Sequence, residues 1–424
     1  MECRDRRGAL RAPRASRLRP IGAERASRSF RFRFAALLAA LSTLGPFSID
    51  AYLPAFAGIQ QSLQASPLEI QQTMSGYLFA FGLMFLFHGA LSDSFGRRPV
   101  ILVALAVYTI ASIGAALAAS VQALVLWRIV QGLSVGAGMV VGRAMIRDLF
   151  EAEDAQRLMS LVTLFFGLAP AIAPVIGGWL FLGMGWRSIF WFLAVVGLAL
   201  VAVSWRSLPE TLAETARHAF HPMALIKGYE EVGINRKFLL LSLAAGFNFN
   251  AFFLYIVSAP VFLGEHLHLG PQEYAWLFVA GITGIMIGAF LSGRAAGRRS
   301  PARTIEFAYL FMFCASVGNL AYAWLVAPSV PWAMVPIFFY AIGFALAMPS
   351  ITLITLDLFP TRRGMAASLQ GFVSGMVNTL DAGIISPALS PSVRGLAIGM
   401  VAMMLAGLAS WLGYRRISSL KPTP

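Results

Sequence analysis

One acidic side chain, Asp50, lies within a long apolar stretch of this sequence, in the run 45–54. An ionised carboxylate in hydrocarbon costs roughly a few kcal/mol or more, so such a group faces a cavity, pairs with a cation or carries a proton. Burial disfavours the charged form and a nearby cation favours it, so a carboxylate held between these effects can load and release a proton. The alternative is that the apolar segment begins later and Asp50 lies at its outer interface.

A basic side chain, Arg128, opens another apolar stretch. It lies seven residues after Val121, where that stretch begins, or about 10 Å along a helix. Because arginine stays charged, it needs a buried acceptor or water, and Asp50 is the predicted partner. The glycines on the following turns allow neighbouring helices to approach closely. The alternative is an arginine whose side chain extends to the outer headgroups.

A short polar turn follows the second apolar stretch and contains Gly89, Asp93, Gly96, Arg97 and Arg98. Topology alone requires basic residues at a membrane face but no acid, so Asp93 indicates a further role. We predict that Asp93 accepts hydrogen bonds from a helix N-terminus, whose dipole favours anions. We also predict that Arg97 or Arg98 pairs with Asp148, at the end of the fourth stretch, in a contact that breaks and re-forms as the protein changes shape.

The fifth apolar stretch contains two prolines four residues apart, followed by a pair of glycines: Pro170, Pro174, Gly177 and Gly178. Proline removes a backbone donor and bends a helix, while glycine allows another helix to come close. This spacing therefore predicts a kinked helix with one tightly packed face.

Four polar side chains interrupt apolar stretches in the second half of the chain: Asn248, Asn250, Asn378 and Asp381. Polar groups inside apolar segments commonly face a cavity, and we predict that these residues line one together with Asp50, Tyr52 and Arg128. Hydrogen bonds between helices are the alternative for these four residues. For Asp381, a position near the outer interface is a further alternative.

These residues belong to a chain of 424 residues that is 58% hydrophobic and only 12% charged. A soluble domain carries about 25% charged residues, so this chain lacks the polar material to cover a soluble surface. Its apolar stretches reach the roughly 20 residues that a membrane-spanning helix requires. The two cysteines are far apart, and the histidine pairs have no acidic motif around them. No disulfide, metal site or enzyme active site is therefore predicted.

We predict twelve membrane-spanning helices, at about 34–58, 72–92, 99–118, 121–146, 157–182, 187–206, 237–263, 273–293, 303–326, 332–357, 363–387 and 394–414. The longest polar interruption, 207–236, is predicted to be a cytoplasmic loop that separates two six-helix halves, 34–206 and 237–414. A basic, apolar-poor arm, 1–33, precedes them and lacks the apolar core of a signal peptide. It is predicted to be a disordered cytoplasmic tail, with sequence translated upstream of the true start or a transit peptide as the alternatives. A cytoplasmic tail, 415–424, follows.

The basic residues determine the predicted orientation. With the N-terminus in the cytoplasm, 29 of the 33 Lys and Arg fall in cytoplasmic loops or tails and two in outside loops. This asymmetry follows the positive-inside rule, so both termini are predicted to be cytoplasmic. It also accounts for the net charge of +14, and no nucleic-acid partner is expected.

The two blocks of spans have the character of repeats. Leu91-Ser92 recurs as Leu291-Ser292, and Gly96-Arg97-Arg98 recurs as Gly297-Arg298-Arg299. Each pair of matches follows the second span of its block. Parallel six-span halves place a binding site near the membrane midplane at their interface.

Over residues 34–415, the sequence resembles the major facilitator superfamily, and specifically its twelve-span drug:proton antiporters. The polar turn matches motif A, Arg128 and Gly132 match motif B, and Pro174 with Gly177-Gly178 matches antiporter motif C. The run 48–54 is similar to the first-span signature of the Bcr/CflA multidrug resistance branch, and Arg147-Asp148 also fits it. The departures from these motifs are Ser94 for a base, Ala169 and Ala173 for glycines, and Gly293 for the acid of the second motif A copy.

The resemblance implies an all-α membrane protein with the major facilitator fold, whose two six-helix halves enclose a central cavity. It implies that Asp50 takes part in proton coupling, that Arg128 assists it, and that drugs bind between the halves. Motif C is associated with exporters. We therefore expect proton-coupled efflux of small, largely apolar drugs, similar to chloramphenicol or bicyclomycin, by alternating access. We expect a monomer in a bacterial inner membrane, with the lipid bilayer and the substrate as its partners and no cofactor besides the coupling proton.

Two other functions remain open at this level. Export of an endogenous metabolite, such as an amino acid or a dipeptide, would be favoured by paired charges in the cavity, whereas a cavity rich in Phe, Met and Leu favours drugs. A membrane-embedded receptor or enzyme is the third reading. It is disfavoured because no span contains a cluster of paired acids with histidine, and because a receptor has no need of two six-span repeats.

Overall fold

The computed structural model describes residues 28–217 and 220–419, and within these ranges the chain is folded almost entirely into helices. A helix satisfies its own backbone N–H and C=O groups, which a segment in hydrocarbon requires. Ten helical segments of the described residues are long and apolar enough to cross a membrane, and a bent pair adds an eleventh. The remaining span is the helix Ala152–Met184, which contains the shorter apolar segment Ala169–Met184.

The twelve spans, numbered in chain order, confirm the predicted count. They are Phe32–Leu63, Pro67–Met84 with His88–Phe95, Arg97–Ala116, Val121–Leu149, Ala152–Met184, Arg187–Ser207, Arg236–Val257, Pro271–Ala295, Pro301–Leu325, Trp332–Asp357, Arg363–Leu389 and Val393–Ser419. Because an even number of spans returns the chain to the side from which it started, residues 28 and 419 lie on the same side. We name that side the terminal face and the other side the opposite face.

The ends of several spans follow from local sequence. Ser66 begins span 2 with a capping box, in which its hydroxyl accepts from the Glu69 N–H and the Glu69 carboxylate accepts from the Ser66 N–H. Asn235 caps the N-terminus of span 7, where its side-chain oxygen accepts hydrogen bonds from two N–H groups of the first turn. Gly96, with φ 97°, and Gly185, with φ 77°, stand at junctions where the backbone adopts a conformation that side chains rarely allow.

Four spans are interrupted. Among the described residues, the interruptions lie at 51–55 in span 1, at 85–87 in span 2, where the axis bends by 49°, at Gly136 in span 4, and in the π-helical segment Asp381–Ile385 within span 11. A second π-helical segment, Pro260–His266, follows span 7. Irregular backbone at membrane depth is tolerated where protein surrounds it, and π-helical turns are frequent at functional sites. Asp50 and Asp381 both lie at such an interruption.

Spans 1–6 pack mainly against one another, and spans 7–12 do the same. Between these groups, span 2 packs against span 11, and span 5 packs against span 8 and the turn Pro271–Tyr274 with which span 8 begins. The contact of spans 2 and 11 is a close crossing, because a Cβ on Gly375 would lie only 2.6 Å from the Gly82 Cα. The architecture is therefore the predicted pair of six-helix halves.

The chain ends and the central loop differ in part from the sequence expectation. The first helix begins at Arg28, inside the predicted arm 1–33, and residues 1–27 lie outside the described residues. The last helix extends to Ser419, within the predicted tail 415–424, and residues 420–424 lie outside the described residues. The central loop contains a helix, Pro222–Gly233, that packs against span 11. Its Tyr229 hydroxyl donates to the Leu86 carbonyl of span 2 at 2.8 Å.

Candidate functional site

Arg128 is completely buried inside the first half. Its guanidinium lies over the rings of Tyr77, at 4.1 Å, and Tyr52, at 4.8 Å from the ring centroid. Its Nη1 donates to the Gln131 side chain at 2.8 Å and to the Ser48 carbonyl at 3.3 Å. Aromatic faces and carbonyl dipoles together offset part of the cost of burying this cation. The predicted alternative, a side chain that extends to the headgroups, is therefore wrong.

Four spans supply the polar groups around Arg128. Gln131, one turn further along span 4, donates to the Ser112 hydroxyl of span 3 at 2.8 Å. The hydroxyls of Ser48 and Tyr108 are 2.5 Å apart and join span 1 to span 3. The Tyr77 hydroxyl of span 2 donates to the Gly45 carbonyl of span 1 at 3.0 Å. Arg128 is therefore the centre of a hydrogen-bonded cluster that holds spans 1 to 4 together.

Asp50 lies at the last residue of the first helix of span 1 and is only 4% exposed. It is 13 residues from the end of that span at Leu63, and its depth relative to the outer interface stays a prediction. Among the described residues, the Asp50 carboxylate forms no ion pair and no side-chain hydrogen bond, and the predicted pair with Arg128 is not formed. Ser48 turns toward span 3, and Asp50 follows it by two residues, or about 200° of helical rotation, so the two side chains leave span 1 in different directions.

Tyr52 follows the interruption of span 1 and is fully buried. Its hydroxyl lies 2.7 Å from the Thr73 hydroxyl of span 2, and its ring contacts Phe56 and Phe190. The ring is thus enclosed between Arg128 and the packing of the first half. It supports the guanidinium from inside the half, and the predicted place on a cavity wall stays a prediction.

Span 5 touches both halves through its glycine pair. A Cβ on Gly177 would lie 2.0 Å from the Ala51 carbonyl, immediately after Asp50. A Cβ on Gly178 would lie 2.8 Å from the Pro271 carbonyl at the beginning of span 8. Pro170 and Pro174 precede this pair inside the helix. The glycine pair therefore places span 5 directly between the interruption that carries Asp50 and the second half.

The polar turn after span 2 forms an ion-pair network at the terminal face. Arg97 pairs with Asp93 and, through Nε at 3.2 Å, with Asp148 at the end of span 4. It also donates to the Ser92 hydroxyl at 2.6 Å, and the Thr211 hydroxyl donates to Asp148 at 2.8 Å. The predicted pair with Asp148 is confirmed for Arg97. Arg98 instead donates to the Trp205 carbonyl at the end of span 6, at 2.6 Å.

Glu210, which was not among the predicted site residues, makes the contact with a helix N-terminus that was predicted for Asp93. Its carboxylate accepts from the backbone N–H groups of Arg97, at 3.0 Å, and Arg98, at 3.3 Å, where span 3 begins. A Cβ at Gly96 would lie 2.5 Å from this carboxylate, which explains the glycine. Asp93 forms its ion pair with the Arg97 side chain instead, so its predicted role as the acceptor at a helix N-terminus is wrong. Glu210 lies after span 6 in a polar run, and the sequence does not indicate what it contacts.

The polar residues of the second half divide into two groups. The Asn248 side chain donates to the Tyr309 hydroxyl at 2.9 Å, and a Cβ at Gly407 would contact its carbonyl oxygen at 2.2 Å. These contacts to spans 9 and 12 correspond to the helix–helix alternative. The Asn250 amide donates to the Asn378 carbonyl oxygen at 2.8 Å and joins span 7 to span 11.

Asp381 is fully buried inside the protein, and its predicted alternative position near the outer interface stays a prediction. The predicted cavity residues therefore lie in both halves. Among the described residues, those of the first half make no direct contact with those of the second half. A separate groove of about 710 Å³ lies between spans 9 and 10, is lined by residues such as Phe311 and Phe339, and contains none of them.

A bundle of twelve spans in two halves, with charged residues buried in the spans and an ion-pair network at one face, is the architecture of a membrane transporter. The family model of the Major Facilitator Superfamily matches residues 36–380, and this chain belongs to that superfamily. It is therefore a multi-pass membrane protein and a transporter rather than an enzyme, and the family resemblance identified from the sequence is confirmed.

Characterised and uncharacterised relatives cover most of the chain. The Bicyclomycin resistance protein homolog of Haemophilus influenzae is 28% identical over 84% of this chain and 89% of its own length. Multidrug resistance protein D of Escherichia coli K12 is 29% identical over 88% of this chain and 92% of its own length. An uncharacterized transporter of the same superfamily in Bacillus subtilis is 28% identical over 92% of this chain and 96% of its own length.

Solved transporter structures have the same fold. A D-xylose–proton symporter superposes with a TM-score of 0.70 at 16% identity, over 91% of this chain and 98% of that chain. A bacterial homolog of the human lysosomal transporter Spinster, in an inward-facing and unoccupied conformation, superposes with a TM-score of 0.69 at 18% identity, over 94% of this chain and 100% of that chain. At these identities the likeness concerns the fold alone.

Proposed function

We propose that this protein exports small, largely apolar drugs across a bacterial inner membrane in exchange for protons. The observation that carries the proposal is Asp50, a buried carboxylate at an interruption of span 1 that forms no ion pair among the described residues. It adjoins Ala51, whose carbonyl lies against Gly177 of span 5. The names of the relatives support drugs as the substrate class. The asymmetry of Lys and Arg supports a cytoplasmic terminal face.

Asp50 is the proposed site of proton exchange. A carboxylate in a low-dielectric environment without a cation favours the protonated form, and contact with water favours the ionised form. When the site opens to the opposite face, Asp50 takes up a proton and the drug leaves. When it opens to the terminal face, the proton dissociates and a drug binds again. The drug and the proton thereby use the same site alternately.

Span 5 is the proposed mechanical link between this site and the second half. Its Gly177 packs against the Ala51 carbonyl and its Gly178 packs against the Pro271 carbonyl. A small change of backbone direction at 51–55 would therefore displace span 5 against span 8. Packed helix contacts have discrete arrangements, so this displacement favours one arrangement of the halves over another.

Arg128 has a proposed supporting role. It donates to the Ser48 carbonyl, two residues before Asp50, and it lies over the Tyr52 ring, two residues after it. The guanidinium thereby holds the backbone on both sides of the proton site. Its positive charge also offers the ionised Asp50 a partner when the interruption of span 1 rearranges.

The network of Arg97, Asp93, Asp148 and Glu210 is the proposed gate at the terminal face. It ties the ends of spans 2, 3 and 4 to the segment that follows span 6. Exchange of partners among these charges would let the first half move as a unit.

Resistance of a drug-sensitive bacterial host tests the proposal. Asp50→Asn keeps the shape of the side chain but cannot ionise, so we expect it to abolish resistance to chloramphenicol and bicyclomycin while the protein still reaches the membrane. Glu306→Gln is the matched control, since Glu306 is a half-exposed carboxylate on span 9 that pairs with Arg415. Unchanged resistance in Asp50→Asn for every exported compound would show that Asp50 does not couple transport. A panel that includes amino acids and dipeptides separates drug export from metabolite export.

A further inference from the structure

Asp381 is the second carboxylate buried within the spans, and its surroundings differ from those of Asp50. It stands at the first residue of the π-helical segment Asp381–Ile385, and its exposed fraction is 0%. Neither of its carboxylate oxygens has a hydrogen-bond partner among the described residues. An isolated ionised carboxylate without any donor is strongly disfavoured in such an environment, so these surroundings favour the neutral acid.

The elements packed against this segment are span 2, span 7 and the adjoining parts of span 11. Their charged and titratable groups are Glu69 and Tyr77 on span 2, Arg236, Lys237, Tyr255, Glu265 and His266 on span 7 and the π-helical segment after it, and Arg363 on span 11. The Tyr77 hydroxyl donates to the Gly45 carbonyl, and the Tyr255 hydroxyl accepts from the Asn319 amide. The His266 ring contacts the Ser390 carbonyl. Arg363 is 18 residues away, or about 27 Å along the helix.

Asp381 lies between two polar contacts that join span 7 to span 11. On the side of the terminal face, the Asn250 amide donates to Asn378 at 2.8 Å, one turn before Asp381. On the side of the opposite face, the hydroxyls of Ser258 and Ser386 are 2.8 Å apart, little more than one turn after it. The carboxyl group is therefore placed within the only polar column that the described parts of these two spans share.

This column is also in contact with the first half. The Gln71 amide of span 2 donates to the Ser386 hydroxyl at 3.3 Å and to the Val257 carbonyl at 3.5 Å. A Cβ on Gly383, two residues after Asp381, would lie 3.1 Å from the Ser75 Cβ of span 2. Span 2 thus covers the segment that carries Asp381, and its removal would expose this segment.

We propose that Asp381 is a second proton-binding group of this transporter, located in the second half and closed from water by the contact of Gln71 with Ser386. The proton comes from water at the opposite face and forms an O–H bond with one carboxylate oxygen. When span 2 separates from span 11, water reaches the acid, the O–H bond breaks and the proton returns to water. Proton binding at Asp381 does not depend on the proposed substrate, and only its part in coupling rests on the proposed function.

Infrared spectroscopy of the protein in lipid vesicles tests the protonation directly. At neutral pH, we expect a carboxylic-acid C=O band that is weaker in Asp381→Asn than in the wild type. Asp357→Asn is the control and leaves the band unchanged, because Asp357 is an exposed carboxylate paired with Arg363 at 2.9 Å. An identical band in the wild type and Asp381→Asn would overturn the proposal, whatever the protein transports.

A measurement on the wild-type chain avoids dependence on the folding of a variant. Dicyclohexylcarbodiimide reacts with protonated carboxyl groups in apolar surroundings, and mass spectrometry of peptides locates the adduct. We expect an adduct on Asp381 at neutral pH that disappears at strongly alkaline pH, and no adduct on Asp357. Absence of the Asp381 adduct over the whole pH range would contradict the proposal.

Proton release from purified protein in weak buffer tests the part in coupling, with chloramphenicol as the probe. We expect Asp381→Asn to release fewer protons per bound chloramphenicol than the wild type, and Glu306→Gln to release the same number. Equal release by Asp381→Asn and the wild type would remove Asp381 from coupling. If the wild type itself releases none, the proposed drug exchange fails, and the infrared and labelling results alone decide whether Asp381 binds a proton.

Discussion

Arg128 illustrates how a single buried cation is accommodated by this sequence. It has two carbonyl acceptors on one nitrogen and two aromatic rings against its face, while Nε and Nη2 have no acceptor among the described residues. A planar guanidinium can stack on rings and donate at its edge simultaneously, whereas the ammonium of lysine is a compact, strongly hydrated charge. The site is therefore specific for arginine and not merely for a positive charge.

This specificity gives a prediction for Arg128→Lys. We expect transport of chloramphenicol to fall by at least about tenfold, equivalent to about 1.4 kcal/mol, because the stacking on Tyr77 and Tyr52 is lost. The rate of chloramphenicol efflux from preloaded cells, normalised to the amount of protein in the membrane, measures it. A rate equal to the wild type would show that any cation at this position suffices.

Asn248 gives a prediction of the opposite kind. Its side chain donates a hydrogen bond to Tyr309 within the second half, so we expect it to act in stability rather than in substrate binding. We expect Asn248→Ala to lower the free energy of unfolding by about 0.6 kcal/mol, and by no more than about 1.7 kcal/mol, as is typical of hydrogen bonds between membrane helices. Thermal unfolding in detergent measures the change. A changed drug profile at normal stability would instead place Asn248 on the cavity wall.

The residue types of the candidate site could be predicted from the sequence, but their partners could not. Asp50 and Arg128 stand out because charged residues are rare in apolar stretches. Their predicted pairing fails because the guanidinium is already held by Ser48 and two tyrosines, which are ordinary residues in such a sequence. Glu210 was missed for the same reason. It is an acid in a polar linker, and nothing in the sequence indicates that it contacts the N-terminus of a helix more than 100 residues earlier.

At the level of helices, the glycine pair of span 5 determines how close three spans approach. The space at Gly177 is smaller than any Cβ requires. At Gly183, six residues later in the same span, no atom of the described residues outside the neighbouring helical backbone lies within 4 Å of the position that a Cβ would occupy. Two glycines of one helix therefore differ in whether a larger side chain would fit, although the sequence alone does not distinguish them.

This difference gives a matched pair of substitutions. We expect Gly177→Ala to push span 5 away from Ala51 and to reduce transport strongly, since overpacking costs about 1–3 kcal/mol. Gly183→Ala should leave transport unchanged, because its methyl group meets no side chain or other helix in the part of the chain that the structure describes. Drug efflux and thermal unfolding of both variants measure the effects. Equal transport by the two variants would contradict the role of Gly177 in the contact with span 1.

The helices themselves were largely predictable, because length and apolar character define a membrane span. The tightly packed face predicted for span 5 is confirmed at Gly177 and Gly178, whereas its predicted kink stays a prediction, because the helix Ala152–Met184 is continuous. The π-helical segments Pro260–His266 and Asp381–Ile385 had no signal in the sequence, since π-helical turns depend on the packing around them and not on one residue type. The helix Pro222–Gly233 was missed because a polar, His-containing run was interpreted as a loop.

For the molecule as a whole, the division into two halves rests on independent observations. The distribution of Lys and Arg predicts an even number of spans, and the repeated Leu-Ser and Gly-Arg-Arg runs predict two copies of six. The contacts between halves could not be predicted, because Gly82 with Gly375 and Gly178 with Pro271 are specific to the folded arrangement. The more extensive contacts between the halves involve only spans 2, 5, 8 and 11 among the described residues. This arrangement leaves each half free to move as a unit.

The central claim is that a proton bound at Asp50 is exchanged for a drug, and transport into inside-out vesicles tests it most directly. With the purified protein in vesicles and an imposed proton gradient, we predict accumulation of chloramphenicol by the wild type and by Glu306→Gln, and none without the gradient. Asp50→Asn is predicted to show no gradient-driven accumulation, while it still equilibrates or binds the drug. Accumulation by Asp50→Asn at the wild-type rate, or wild-type accumulation that ignores the gradient, would contradict the account.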